Sequence, residues 1–162
     1  MLELSELILF NGNWDEYEEK LYSVFKKDFL DSRPYFKKIL PVGIKKEPKL
    51  KSKEATFWHI ITYGKIEDQR LPDLRKCERI GWIKPIIEVF PHQDIKAWID
   101  RRGKDERICL CYGDWDFMVV LRKMKDYILL ITAYPVERRQ TREQLKSQYE
   151  HYLHCKKTNT AF

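Results

Sequence analysis

Residues 95–134 read IKAWIDRRGKDERICLCYGDWDFMVVLRKMKDYILLITAY, and this stretch decides the fold. Four runs within it, 95–101, 107–112, 116–123 and 126–134, have the period of two that a strand imposes on its side chains. The separators contain Gly103, then Gly113 with Asp114, then Lys125 with Asp126. They are short enough for hairpins, so consecutive strands pair antiparallel in a meander. The run YILLITAY is apolar on both faces, which predicts a central strand covered on both sides.

Beyond the last run, Pro135 stops the strand, and Thr141 with Gln144 predicts a capped helix over 141–155. Its buried stripe is Leu145, Tyr149, Tyr152 and Leu153, with a frayed tail from Lys156. On the other side of the meander, Pro72 suits a first helical turn, with Leu74, Cys77 and Ile80 buried and Arg75 and Arg79 opposite; Gly81 and Pro85 limit this helix. ATFWHIITY (55–63) is rich in aromatic and β-branched residues and reads as a strand with His59 in its middle.

Nearer the N-terminus, a short strand is expected at 36–42, followed by an exposed basic loop over 45–53 that carries Lys45, Lys46, Lys49, Lys51 and Lys53. Asn13 and Glu16 form a capping pair, and Trp14, Tyr17, Leu21, Val24 and Phe25 recur at helical spacing, so 13–30 is a helix. The class is α+β: N-terminal helices, a four-stranded antiparallel meander and a C-terminal helix, in one domain over 1–162.

Composition narrows the function. With 43% hydrophobic and 14% aromatic residues the chain can drive its own folding. No run approaches the roughly 18 apolar residues of a membrane span, and Met1 to Phe10 is too short and acidic for a signal peptide, so no membrane partner and a cytoplasmic location are expected. Lys and Arg number 31 against 25 Asp and Glu, and the net charge of +6 points to a polyanionic partner. The cysteines, Cys77, Cys109, Cys111 and Cys155, make no C-x-x-C spacing and are expected as reduced thiols, with Cys109 and Cys111 on one strand face. His151, His154 and Cys155 read as a polar helix face, so no metal is expected. The chain has no glycine-rich phosphate loop, H-E-x-x-H or G-x-S-x-G.

Chemistry-bearing groups remain. His59 is a polar ring among apolar neighbours, where it needs a partner or a role. Thr132 and Tyr134 share strand parity and project from one face just before Pro135. Arg75 and Arg79 lie on a helix, and Arg101 and Arg102 at a strand end. Metal-free RNA cleavage needs this set: a proton-transfer group for the 2′-OH and the leaving 5′-oxygen, cations for the phosphorane, and hydroxyls to position phosphate.

The segments EATFWHIIT, RLPDLRKCERIGWIKPIIE and LLITAYP together resemble the barnase, EndoU, colicin and RelE-like ribonuclease superfamily, in particular its phage and mobile-element branches, over most of 54–136. The resemblance implies helices before a four-stranded antiparallel sheet, and a metal-independent endoribonuclease that is toxin-like or phage-associated and needs no cofactor. It places His59 on the histidine segment, Arg79 on the basic position with Arg75, Arg101 or Arg102 as alternatives, and Thr132 with Tyr134 on the late-strand motif. His92, in PHQD, has no counterpart in that pattern. The implied partners are RNA and a cognate inhibitor protein, with Lys49, Lys51, Lys53, Arg75, Arg101 and Arg102 as RNA contacts. The alternatives are a noncatalytic module that binds RNA through the 45–53 loop and exposed Trp58 or Trp115, or a protein-interaction module.

Overall fold

Asn13 begins the ordered architecture as expected: its side chain accepts from the Glu16 backbone N–H and starts helix α1 (Trp14–Phe29). Glu16 does not complete the capping box, because its carboxylate accepts instead from Asn11. The face carrying Tyr17, Leu21, Phe25 and Phe29 is buried. The computed structural model describes residues 2–156, so most of the tail expected to fray from Lys156 lies outside the described residues.

The strand expected at 36–42 is two short ones, β1 (Tyr35–Phe36) and β2 (Leu40–Gly43), separated by a turn in which Lys37 and Lys38 adopt positive φ. The segment expected as a strand at 55–63 is helix α2 (Ala55–Ile61) followed by the two-residue strand β3 (Thr62–Tyr63). Phe57, Ile60 and Ile61 sit at helical spacing and all three are buried in the main core, so tertiary burial overrides the β-propensity of the segment. β3 pairs with β4 (Leu71–Pro72) in a separate small ribbon, which puts Pro72 in a strand rather than a helix.

Asp73 caps α3 (Leu74–Glu78) by accepting from the Arg75 and Lys76 N–H groups. Gly81 and Pro85 do not end the helical region as expected. A 3-10 turn, Ile80–Trp82, leads into α4 (Ile83–Val89), and Pro85 sits in its first turn, where a missing N–H breaks no helical bond. Gly81 lies where a Cβ would come within 2.8 Å of Ser5 Oγ, so the glycine lets the N-terminal segment pack closely.

The meander is present as β5 (Ile95–Arg102), β6 (Asp105–Tyr112), β7 (Phe117–Lys123) and β8 (Ile128–Pro135). It does not stand alone, because the sheet has six strands in the order β1-β2-β8-β7-β6-β5, and β2 joins β8 in parallel through Val42 to Ile128 and Gly43 to Leu129. This corrects the four-stranded, wholly antiparallel expectation and keeps the α+β class. Helix α5 (Arg139–Cys155) begins earlier than expected: its N-cap is Arg138, without a side-chain cap, so the Thr141–Gln144 box does not start it. Leu145 is buried, while Leu153 is exposed and falls outside the buried stripe.

Two apolar clusters sandwich the sheet. One joins the first four helices to Ile108, Leu110, Val119 and Leu121, and the other joins α5 to Trp98, Cys109, Cys111 and Met118. None of the helices is long and apolar enough to cross a membrane, among the described residues.

Candidate functional site on the two sides of the last strand

The key irregularity is a β-bulge. Val120 pairs with Thr132 but Leu121 pairs with Leu130, leaving Ile131 as an extra residue in β8. An unbroken strand would point Ile128, Leu130, Thr132 and Tyr134 to one side. With the bulge, Ile128, Leu130 and Ala133 face the helical core, whereas Ile131 and Tyr134 join the cluster under α5. Thr132 follows Tyr134 by parity, and its partner Val120 belongs to that same cluster.

Cross-strand register builds the α5-side face in rows. Trp98, Cys109, Val120 and Thr132 form one row, and Lys96, Cys111, Met118 and Tyr134 the next. On the other side of the first row lie Asp100, Arg107 and Arg122. Helix α5 packs mainly over β5, where Gln148 accepts from the Trp98 indole at 3.2 Å and Tyr149 meets the rings of Trp98 and Trp115. Trp115 is buried in this packing and is not the exposed aromatic platform expected of it.

Neither the Thr132 nor the Tyr134 hydroxyl finds a hydrogen-bond partner among the described residues, and neither is sealed from solvent. Burial, followed by the neighbouring Cys109 and Cys111, pushes the Tyr134 phenol up to about 12, so at neutral pH it is an uncharged donor. Arg102 pairs with Asp100 at 3.0 Å and Arg122 with Asp105 at 2.7 Å, while Arg101 pairs with Glu106 at 3.3 Å.

His59 is on α2, in the helical layer. Its Nε2 lies 3.0 Å from Glu67 Oε1, and its side chain is 37% exposed. Its backbone carbonyl, at the C-terminal end of α2, accepts from Lys76 Nζ at 2.8 Å and Arg70 Nη2 at 3.3 Å. Lys76 also donates to Thr62 O at 2.7 Å, and burial with Arg70 nearby brings its ammonium down to about 8. Sequence reading missed this pair of cations, because nothing in the spacing of Arg70 and Lys76 announces that both return to one helix end.

Arg79 donates to Glu78 and to the Arg75 carbonyl and covers the Trp82 ring, and Arg75 holds the other Glu78 oxygen at 2.8 Å. Both arginines thus clamp a buried carboxylate. In the basic segment Lys49 is exposed, as is Lys51, which lies 3.7 Å from Glu18. Lys53 is buried and ion-paired to Glu18 and Glu19, which corrects the expectation of a uniformly exposed loop. Trp58 is half-buried and donates to Leu50 O.

The elements that carry His59, Arg79, Thr132 and Tyr134 are neighbours: α2 and α3 pack on each other and both pack on β8. β2 ends at the Gly43–Leu129 pair, so from Leu130 onward β8 has helices rather than a strand on that flank. Among the described residues, however, no hydrogen bond or ion pair joins His59 or Arg79 to Thr132 or Tyr134. The four cysteines are free, and no group of three metal-ligating side chains occurs among the described residues.

Two residues of this site were not singled out in the sequence although their signal was present. Arg107 alternates with Cys109 and Cys111 on β6, and Arg142 lies three residues before Leu145 on α5. Comparison of the chain with family models, with curated proteins and with solved structures finds no match.

Proposed function

We propose that the protein is a metal-independent endoribonuclease that cuts RNA by attack of a 2′-OH on the adjacent phosphate. The observation that carries this reading is the bulge at Ile131, which turns Thr132 and Tyr134 out of the helical core and onto a face rich in arginine. A bulge placed beside two free hydroxyls supports a functional rather than a packing role for them.

In this mechanism Thr132 and Tyr134 donate to the non-bridging phosphate oxygens. A proton leaves the 2′-OH, O2′ bonds to phosphorus, and the P–O5′ bond breaks as the departing oxygen takes up a proton. The products are a 2′,3′-cyclic phosphate and a 5′-OH. His59 transfers one of these protons from the α2 side of β8, next to Glu67. Arg79 or one of Arg75, Arg101 and Arg102 stabilises the phosphorane, with Lys49 and Lys51 as outlying phosphate contacts. A toxin-like or phage-associated role, held in check by an inhibitor protein, belongs to the same proposal.

One observation favours a second reading, a noncatalytic RNA-binding module: the His59 ring is tied to Glu67 in the helical layer rather than to the hydroxyls. Incubating the protein with RNA in EDTA separates the two. Cleavage that leaves a cyclic phosphate, falls about 10²-fold in His59→Ala and fails on a substrate with 2′-deoxyribose at the scissile position supports the nuclease. Efficient cutting of the deoxy substrate rejects the mechanism, and binding without cutting leaves the second reading.

A further inference from the structure

Among the described residues the α5-side face carries two guanidinium groups that the protein itself does not satisfy. The Nε atoms of Arg107 and Arg142 are both sealed from solvent, and neither has a hydrogen-bond partner. Buried donors are paired in the great majority of folded proteins, and a buried charge is costly to leave unpaired. The other arginines of this face are neutralised, Arg102 by Asp100 and Arg122 by Asp105. Among the described residues no carboxylate lies within ion-pairing distance of Arg107 or Arg142.

Position adds to the argument. Arg107 shares the face of Cys109 and Cys111, and on β7 it pairs with Arg122, one step along from the Val120–Thr132 row. Arg142 sits on α5 one turn before Leu145, whose side chain packs onto the same cluster. Both side chains are half-buried, as expected of guanidinium groups whose stems are packed while their outer nitrogens stay available.

We infer that Arg107 and Arg142 form a phosphate subsite for single-stranded RNA, on the same face as the Thr132 and Tyr134 hydroxyls. This deepens, and rests on, the proposal that the protein acts on RNA. Arginine suits the role because its fork binds a phosphate through two parallel bonds, and an anion would supply the missing acceptor at each Nε. An RNA backbone and free phosphate share this chemistry. The committed ligand is the backbone, because the free hydroxyls on the same face provide further donors along an extended strand.

The test uses a fluorescent single-stranded oligouridylate with 2′-O-methyl groups, which binds but cannot be cut, and inorganic phosphate as a second probe. Arg107→Gln and Arg142→Gln are each expected to weaken RNA binding about tenfold and to lower the salt slope by about 0.7. Arg→Lys at either position should recover the slope but not the full affinity, since the fork is lost. Lys104→Gln, in the exposed β5–β6 turn, is the control for loss of charge alone.

Unchanged RNA affinity and salt slope in both Gln variants overturns the subsite, whatever phosphate does. Protection of the wild type by phosphate, with no effect of the variants on RNA, assigns the site to a free anion and also overturns the proposal. If wild-type protein cuts RNA and the variants cut and bind it equally well, the subsite fails while the nuclease reading stands. If RNA is bound through both arginines but never cut, the subsite stands and the nuclease reading fails. Should the variants not fold, the arginine Nε–H resonances of the wild type titrated with the same RNA decide: two must shift on binding, and none shifting overturns the proposal.

Discussion

On its helical side the sheet meets Phe25, Phe57 and Ile86, each fully buried, whereas on the α5 side the same strands present Arg107, Cys109 and Tyr134 beneath a single helix. The helical side is a continuous aromatic and aliphatic core in which Phe25, Phe57 and Tyr22 rings contact one another. The opposite side mixes indole and thiol packing with guanidinium groups. A face built only for stability would not hold two buried, unpartnered Nε atoms, since a polar group without a partner subtracts from stability. The difference separates what holds the fold from what is left to meet a ligand.

The largest expected effect tests that division directly. Phe57→Ala removes a fully buried ring from the helical core and should cost about 3–5 kcal/mol in urea unfolding. Leu145→Ala, beneath α5, should cost about 2 kcal/mol, because the smaller cluster can relax around the gap and α5 rests mainly on β5. Equal costs would mean that the two clusters act as one core and would break the comparison.

A smaller effect follows from pH, since buried thiols occur on both sides. Burial pushes Cys77, Cys109 and Cys111 up to about 12 from an ordinary 9.0. Below pH 9 these thiols hold their protons in both states, and above it only the unfolded chain releases them, so stability falls as pH rises from 9 toward 12. Each thiol contributes a loss of roughly 1 kcal/mol by pH 9.5.

Lys76 works in the opposite direction. Its folded-state value of about 8 lies below the ordinary 10.5, so between those values the native state has released a proton that the unfolded chain retains, and stability rises with pH. Lys76→Met should therefore steepen the alkaline decline by roughly 1–2 kcal/mol between pH 8 and 9.5. Cys109→Ala with Cys111→Ala should flatten it. Urea midpoints in the presence of reductant at each pH provide the measurement. An unchanged slope in Lys76→Met would show that this ammonium does not shed its proton in the fold.

What the sequence reveals follows the same division. The meander is legible because hairpin signals such as Gly113–Asp114 and strict alternation are local, and the α5 stripe is legible through Leu145 and Tyr149. The strand β2 is not legible: its parallel pairing with β8 spans more than eighty residues and leaves no local mark. α2 is misread because Phe57, Ile60 and Ile61 fit either period over seven residues, and only contact with Phe25 and Tyr22 selects the helix.

Of the candidate site, the shared parity of Thr132 and Tyr134 is readable, but the face they occupy is not. It is set by one extra residue at Ile131, which register alone reveals. Arg79 illustrates the other difficulty. Its position beside Glu78 in sequence gives no hint that the carboxylate would be buried and would engage both flanking arginines.

The smallest expected effect contrasts the starts of the two long helices. α1 opens with the Asn13 cap and with Asp15 and Glu16 in its first turn, a favourable match to the positive end of the helix dipole. α5 opens at Arg138 with no side-chain cap and no acid in its first turn, and Arg138 and Arg139 add positive charge where the dipole disfavours it. Arg138→Asp supplies both a cap and the right sign of charge, and should raise stability by about 1 kcal/mol in urea unfolding. The same change places a negative charge one turn from Arg142 and should weaken binding of the uncut RNA strand. Opposite signs in the two assays would mean that α5 gives up helix stability to keep a cationic end for its ligand. A rise in both would show that the basic start of α5 has no part in binding, and the contrast between the helices would reduce to capping alone.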